Sequence, residues 1–470
     1  ARLQREKLLR DYPLNATLWW LNWFDGRSES ALAQWRGLCQ GRDVNALMTA
    51  GQLINWGMPT LAAEMLNALD CQRTLPLYLQ ASLLPKAERG ELVAKAIDVF
   101  PQFVRFPNTL EEVAALESIE ECWFARHLLA CFYYNKRSYN KAIALWQRCV
   151  EMSPEFADGW RGLAIHAWNN DYELAARYLD NAYQLAPQDA RLLFERDLLD
   201  KLSGATPEKR LARLENNQEI ALKRDDMTAE LLNLWHLTGQ ADKAADILAT
   251  RKFHPWEGGE GKVTSQFILN QLLRAWQHLD AREPQQASEL LHAALHYPEN
   301  LSEGRLPGQT DNDIWFWQAI CANAQGDETE AMRCLRLAAT GDRTINIHSY
   351  YNDQPVDYLF WQGMALRLLG EQQTAQQLFS EMKQWAQEMA KTSIEADFFA
   401  VSQPDLLSLY GDLQQQHKEK CLMVAMLASA GLGEVAQYES ARAELTAINP
   451  AWPKAALFTT VMPFIFNYVH

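Results

Sequence analysis

Residues 123–154 read WFARHLLACFYYNKRSYNKAIALWQRCVEMSP, and residues 158–187 read DGWRGLAIHAWNNDYELAARYLDNAYQLAP. In the first stretch Ala142 is followed by Trp146, Cys149 and Pro154; in the second Ala175 is followed by Leu179, Ala182 and Pro187 at the same offsets. Upstream, Leu129, Ala130 and Tyr133 in one correspond to Trp160, Leu163, Ala164 and Ala167 in the other. Such a pattern describes a helical hairpin. A small residue at the crossing lets two helices approach, and a large one four residues on fills the space above it. The proline ends the second helix. A lone hairpin cannot bury its apolar face, so neighbours must stack.

The anchor recurs at Ala31, Trp35 and Leu38, and at Ala62, Leu66 and Leu69. It returns at Ala244 and Leu248, then at Ala287, Leu291 and Ala294. Further copies stand at Ala331, Leu335 and Ala338, at Ala375, Phe379 and Met382, and near Ala436, Ser440 and Ala443 before Pro450. Val93, Ile97 and Phe100, and Arg210, Leu214 and Asn217, match less well. The pattern resembles the tetratricopeptide repeat (TPR), whose period is about 34 residues. No sustained alternation marks a strand. The expected fold is therefore all-α, an α-solenoid of stacked TPR-like hairpins with irregular loop insertions in the C-terminal half. Anchor spacings up to Ala244 include several near the repeat period, and those beyond it are longer. Residues 1–250 are expected to form a regular array, and residues 251–470 an array with insertions and a C-terminal apolar capping segment.

Composition narrows the function. The 470 residues carry 44 Lys and Arg against 59 Asp and Glu, a formal net charge of −15. Sequence-independent binding to nucleic acid or anionic lipid needs clustered positive charge, so neither is expected as a partner. The eight cysteines are isolated, with no C-x-x-C pair. They read as reduced packing residues, which favours the cytoplasm. The N-terminus is charged rather than signal-like, and the first residue is Ala1, which points to an excised part of a longer protein. The longest apolar stretch, AALFTTVMPFIFNYVH at 455–470, is too short for a membrane span and contains a proline. It reads as a cover for the last repeat, or as an interface.

Insertions in a solenoid often emerge on the binding face. Here they fall at 251–267, 297–313 and 340–358. The first holds glycines at 258, 259 and 261 among His254, Trp256, Glu257, Glu260 and Lys262. A phosphate loop is excluded, because Trp256 stands where its leading glycine is needed and Val263 where it needs Ser or Thr. The carboxylates either cap helix N-termini and the glycine turn or, with Trp256 and the Tyr350–Asp353 loop, border a polar-ligand or carbohydrate site. His292 and His296 lie four apart without an H-E-x-x-H motif and read as a surface or packing pair. No catalytic motif is complete. No catalytic residue, cofactor or metal is assigned, and whether the chain is an enzyme stays open.

FHPWEGGEGKV at 253–263 and DQPVDYLFWQGMALRLLG at 353–370 resemble the TPR half of large bacterial YphG-like proteins. In these a β-rich, sugar-mutarotase-like region precedes the TPR array. The resemblance covers roughly residues 1–450 and is specific at the first loop. The family's Gln-Tyr pair reads Gln266-Phe267 here, so no phenolic role carries over to 267. The resemblance implies a C-terminal half whose partner is a β-rich N-terminal domain, with sugar chemistry in that other half.

In a TPR array the first helix of each hairpin lines a groove, which here would present His127, Tyr134, Arg161, Trp168, Arg191 and His236. Aromatic and charged groups in such a groove suit an extended peptide. Most of the 17 tryptophans fall in expected helices and read as packing; Trp256, in the glycine loop, and Trp452, between prolines, stand apart. The function expected is a non-catalytic scaffold for protein–protein or interdomain interaction, the alternative being part of a carbohydrate-binding or carbohydrate-active protein. The register is testable. Ala175→Trp overpacks a crossing and lowers stability by about 1–3 kcal/mol; a thermal melt matching the parent's refutes the alignment.

Overall fold

The computed structural model describes residues 19–39, 43–68, 73–99, 105–168, 170–256, 258–345, 354–394, 412–452 and 454–468. The described residues are helices, turns and loops, with no strand among them. The fold is an all-α array of TPR-like hairpins, and it forms two compact units.

The first unit runs to Ala186. It contains α1 (Ser28–Cys39), α2 (Asp43–Asn55), α3 (Pro59–Ala68), α4 (Thr74–Ser82), α5 (Gly90–Asp98) and α6 (Leu110–Glu117). After these come α7 (Trp123–Asn135), α8 (Tyr139–Met152), α9 (Ala157–Ala167) and α10 (Tyr172–Leu185). The anchors Ala31, Ala62, Ala142 and Ala175 are all fully buried. The large residue four positions on does more than fill its own hairpin. The Trp146 indole lies over Gly162 of the next hairpin, so closely that a β-carbon at 162 would fall inside the ring's contact radius. In α5 the register moves by three residues: Ala96 is buried and Val93 only partly so.

The second unit begins at Pro187. Its helices are α11 (Ala190–Leu202), α12 (Pro207–Asn216), α13 (Gln218–Ala221), α14 (Asp225–Leu237), α15 (Ala241–Thr250), α16 (Lys262–Asp280) and α17 (Pro284–Ala294). They continue with α18 (Asn312–Ala324), α19 (Glu328–Ala338), α20 (Tyr358–Leu368), α21 (Gln372–Met389), α22 (Leu413–Leu432), α23 (Val435–Ile448) and α24 (Ala455–Tyr468). The step from regular to insertion-bearing repeats at 250 thus falls inside this unit. Ala244, Ala287 and Ala375 are fully buried and Ala331 nearly so. Phe379 packs against Gly363 of its own hairpin and Gly431 of the next. The last hairpin corrects the sequence register: Ala436, Ser440 and Ala443 are exposed, while Tyr438 and Leu445 are buried.

Arg210 occupies the alanine position of its hairpin and is 0% exposed. Its guanidinium grips Asp197 of α11 through two bonds, 3.0 and 2.6 Å, and reaches Glu230 of α14 at 2.9 Å. Burial pushes Glu230 up, but Lys201 and Arg210 outweigh it and hold the carboxyl down at about 2. A charged bridge here takes the place of close apolar packing.

The C-terminal apolar stretch is helix α24, and it reaches far beyond the last repeat. It packs against α14 and α16, and Phe466 also touches Tyr438 of α23. Trp276, Trp317 and Trp361, one from the first helix of each of three consecutive hairpins, form an edge-to-face ladder with centroids 5.3 and 5.7 Å apart. Phe464 packs on Trp276 and Trp317, and Phe458 stacks on Trp361. The first-helix face of these hairpins is therefore covered by the chain's own last helix.

Arg210→Ala strands the Asp197 carboxylate in the interior and costs the second unit about 3–5 kcal/mol. Removing both charges with Arg210→Ala/Asp197→Ala recovers part of that loss. Urea unfolding of the two variants reads the difference; equal midpoints for the parent and the single variant contradict it.

Candidate functional site

The three insertions, carried by consecutive hairpins of the second unit, are tied to one another by side chains. Asn300 donates to the carbonyls of Leu248 and Arg251 at 2.8 and 2.7 Å, and accepts from the Phe253 amide at its own carbonyl. Glu303 accepts from the Gly261 amide at 2.9 Å and from the Thr264 hydroxyl at 3.3 Å. The left-handed backbone of Gly261, with φ near 76°, opens α16 and turns that amide towards Glu303. Asn312 closes the second loop by donating to the carbonyls of Ala338 and Thr340, and Thr310 meets Gln354 of the third.

Between the loops, α22 and the start of α24 lies a cavity of about 1200 Å³. Aromatic faces line it at Trp256, Tyr297, Tyr358, Trp452 and Phe458, and amide groups at Gln266, Gln309, Gln354 and Gln416. Five carboxylates, Glu260, Glu303, Asp342, Asp357 and Glu419, share the wall with two amines, Lys420 and Lys454.

One side of the cavity is a buried ionic cluster. Lys454 Nζ lies 2.5 Å from Asp357 and 3.3 Å from Asp313, and 4.9 Å from the Tyr358 ring centre. Burial lowers the tendency of Lys454 to carry charge, but Asp357 and Asp313 outweigh it and leave the ammonium above its ordinary range. Burial lifts the Asp313 carboxyl, with Lys454 pulling against it. Tyr358 is pushed well up by burial and by the same two carboxylates. Nearby, Arg305 pairs with the buried Asp311.

Of the loop residues expected to bind a ligand, Trp256 and Glu260 line the cavity. Trp256 is half-buried, its indole lying over Gly259. His254 is exposed and turns to Asp225 of α14, its amide 3.0 Å and its Nδ1 3.3 Å from that carboxylate. Lys262, at the start of α16, is exposed and is not part of the lining. Glu257, Tyr350 and Asp353 lie outside the described residues. Trp452, set apart in the sequence by the prolines on either side, is buried and stacks on Phe458, and it also lines the cavity.

The groove residues are dispersed. In the first unit His127 is buried between Phe124 and Phe156, Tyr134 packs on Tyr139 and Trp146, Arg161 is partly exposed, and Trp168 is buried against Tyr172. In the second, Arg191 pairs with Asp189 at 3.3 Å. His236 offers no open group: its Nδ1 meets Gln266 at 2.9 Å and its Nε2 meets Asn270 at 3.1 Å. His292 and His296 stack on each other at the surface. Among the described residues no three His, Cys, Asp or Glu side chains converge as metal ligands, and no helix is long and apolar enough to cross a membrane.

Sequence reasoning missed Glu303, Asp313, Asp357, Tyr358 and Lys454. Four of them stand inside or beside the insertions, in SEGR, DND and PVDY, where they read as loop composition.

No family model matches the chain. Among solved structures it is similar to one chain of Naa15/Naa10 bound to HypK-THB, at 13% identity and a TM-score of 0.34 over 84% of this chain and 52% of that one. The chain thus spans about half the length of that protein. It is also similar to the P58(IPK) TPR domain, at 15% identity and a TM-score of 0.24 over 77% and 99% of the two chains. Similarity to the human IFIT1 dimer with PPP-AAAA is 12% identity and a TM-score of 0.25, over 94% and 92%.

The His236 network makes stability depend on pH. Burial lowers the imidazole from 6.5 to about 4, with the Gln266 bond opposing. The folded chain thus holds the ring neutral where the unfolded chain protonates it. This stabilisation is full above pH 6.5 and is lost as the pH falls towards 4, by about 3 kcal/mol. Urea midpoints at pH 7 and 4.5 should drop further for the parent than for His236→Gln; equal drops rule out the neutral network.

Proposed function

We propose that the chain is a non-catalytic scaffold for protein or interdomain interaction, and that the cavity of the second unit receives a segment of the partner. The observation that carries this reading is the convergence of three repeat insertions on one cavity, while α24 already covers the first-helix face of the same hairpins. Its volume, about 1200 Å³, is above the range usual for a small-molecule pocket. It suits an extended segment that places a few side chains among aromatic walls. The partner is the β-rich, sugar-mutarotase-like region that precedes the TPR array in YphG-like proteins, and the setting is the cytoplasm. Seven cysteines are described, all of them buried and outside any disulfide, which supports a reducing compartment.

A second reading, carbohydrate binding, is favoured by one feature: the half-buried Trp256 stands with Glu260 and the amides of Gln309 and Gln354 along the same lining. An indole face beside carboxylate and amide groups suits a sugar ring. Co-expression separates the two readings. The β-rich region should copurify with the parent chain, and Trp256→Ala/Tyr297→Ala should weaken the complex about tenfold or more. Titration with neutral mono- and oligosaccharides is then run on the chain alone and on the joined form. Sugar binding by the chain alone, without copurification, replaces the scaffold reading with the second.

A further inference from the structure

The cavity lining is unevenly charged. Of its two amines, Lys454 is already committed to Asp357 and Asp313, so this corner holds two buried carboxylates against a single cation. Lys420, its ammonium 6.0 Å from the Trp385 ring centre, stands on the wall as well, so the lining carries five carboxylates against two amines. Glu303 spends one oxygen on the Gly261 amide and the Thr264 hydroxyl at the N-terminus of α16, where the helix dipole answers only part of its charge. Glu260 is exposed at the same wall. A concave site with low-dielectric walls focuses such a surplus of one sign. The aromatic face of Trp256 adds a second attraction for the same kind of ligand, because ring quadrupoles favour cations, whereas the Tyr297 ring already has the Arg305 guanidinium 6.0 Å from its centre.

We infer that the segment received by the cavity is cationic, an extended peptide whose lysine or arginine side chain sets its charge against Glu303 and Glu260 and its stem along Trp256. This rests on the scaffold reading and adds the chemistry of its ligand. A neutral sugar would leave the surplus charge unanswered, and an acidic segment would be repelled by it.

Fluorescence anisotropy on the full chain tests it with three labelled peptides. These are Gly-Ser-Arg-Ser-Arg-Gly, the same peptide with citrulline for arginine, and the same with glutamate. The arginine peptide should bind, weaken as salt rises, and exceed the citrulline peptide by about tenfold, while the glutamate peptide should not bind. Glu260→Gln/Glu303→Gln should reduce binding of the arginine peptide about tenfold. The amide placed at position 303 keeps an acceptor oxygen for Gly261 and Thr264, so the variant stays folded, with at most a small drop in its thermal melt from the charge lost at the α16 N-terminus. Because the whole chain is acidic, Asp242→Asn/Asp280→Asn serves as a control of equal charge change away from the cavity, and it should leave binding unaltered. Equal affinity for the arginine and citrulline peptides, or equal losses in the two double variants, would falsify the inference. So would absence of binding by any peptide. If the β-rich region copurifies equally with the parent and with Glu260→Gln/Glu303→Gln, the cationic assignment fails while the scaffold stands.

Discussion

Two helices of a hairpin come within the distance that stacked repeats require only if the residue at their crossing is small, and everything else in this chain depends on that constraint. One alanine per hairpin meets it at Ala31, Ala62, Ala142, Ala175, Ala244, Ala287 and Ala375, all fully buried. The large side chain four residues on is then driven outward into the neighbouring hairpin, where Trp146 needs the bare backbone of Gly162 and Phe379 that of Gly431. Close approach in one hairpin therefore sets the fit of the next. Arg210 shows what happens when the small residue is absent. Its long side chain spans the crossing, and two carboxylates from α11 and α14 neutralise it. A buried bridge of this kind is weak evidence for extra stability, since desolvation offsets much of its attraction. It does fix which helices are neighbours, because only Asp197 and Glu230 complete it.

The anchors were legible in the sequence because the constraint is local: a small residue, a large one at the fourth position, a proline at the end. Where the constraint becomes long-range, legibility stops. Ala436 looked like an anchor by spacing, yet α23 buries Tyr438 and Leu445 instead, and Tyr438 packs on Phe466 of the helix that follows. The docking of α24 rests on partners far away in the chain, such as the Asn233 amide that donates to the Ala451 carbonyl and the Asp313 carboxylate that meets Lys454. No periodicity within 455–468 announces those contacts. The same holds for Trp276, Trp317 and Trp361, which were rightly read as packing residues but whose common neighbour was not evident.

The loops were legible in position but only partly in role. Glycine turns and aromatic residues marked the three insertions, and two of the residues chosen within them, Trp256 and Glu260, do line the cavity. His254 was drawn instead to Asp225, because the chain leaving α15 passes the N-terminus of α14 and the carboxylate there already holds Arg251. His236 carried a titratable group at an expected groove position, but its hydrogen bonds to Gln266 and Asn270 close it off. Residue type identified chemistry in both cases. The partner each side chain found, Asp225 for His254 and Gln266 with Asn270 for His236, decided where that chemistry is spent.

Repeat architecture also explains why the cavity stands where it does. A hairpin array grows by adding equal units, so extra residues between units have to leave the stack, and three successive insertions leave it on the same side. Each is too polar to form a core alone. They are held by single side chains that finish helix ends, Asn300 on α15, Glu303 at the start of α16 and Asn312 on α19, so that loop geometry is inherited from the helices beneath. The start of α24 then supplies Lys454 and Trp452 from the chain's far end. A site assembled in this way has walls tied to the repeats at their helix ends and a lining free of the alanine constraint. That freedom is where the carboxylates and aromatic faces have accumulated.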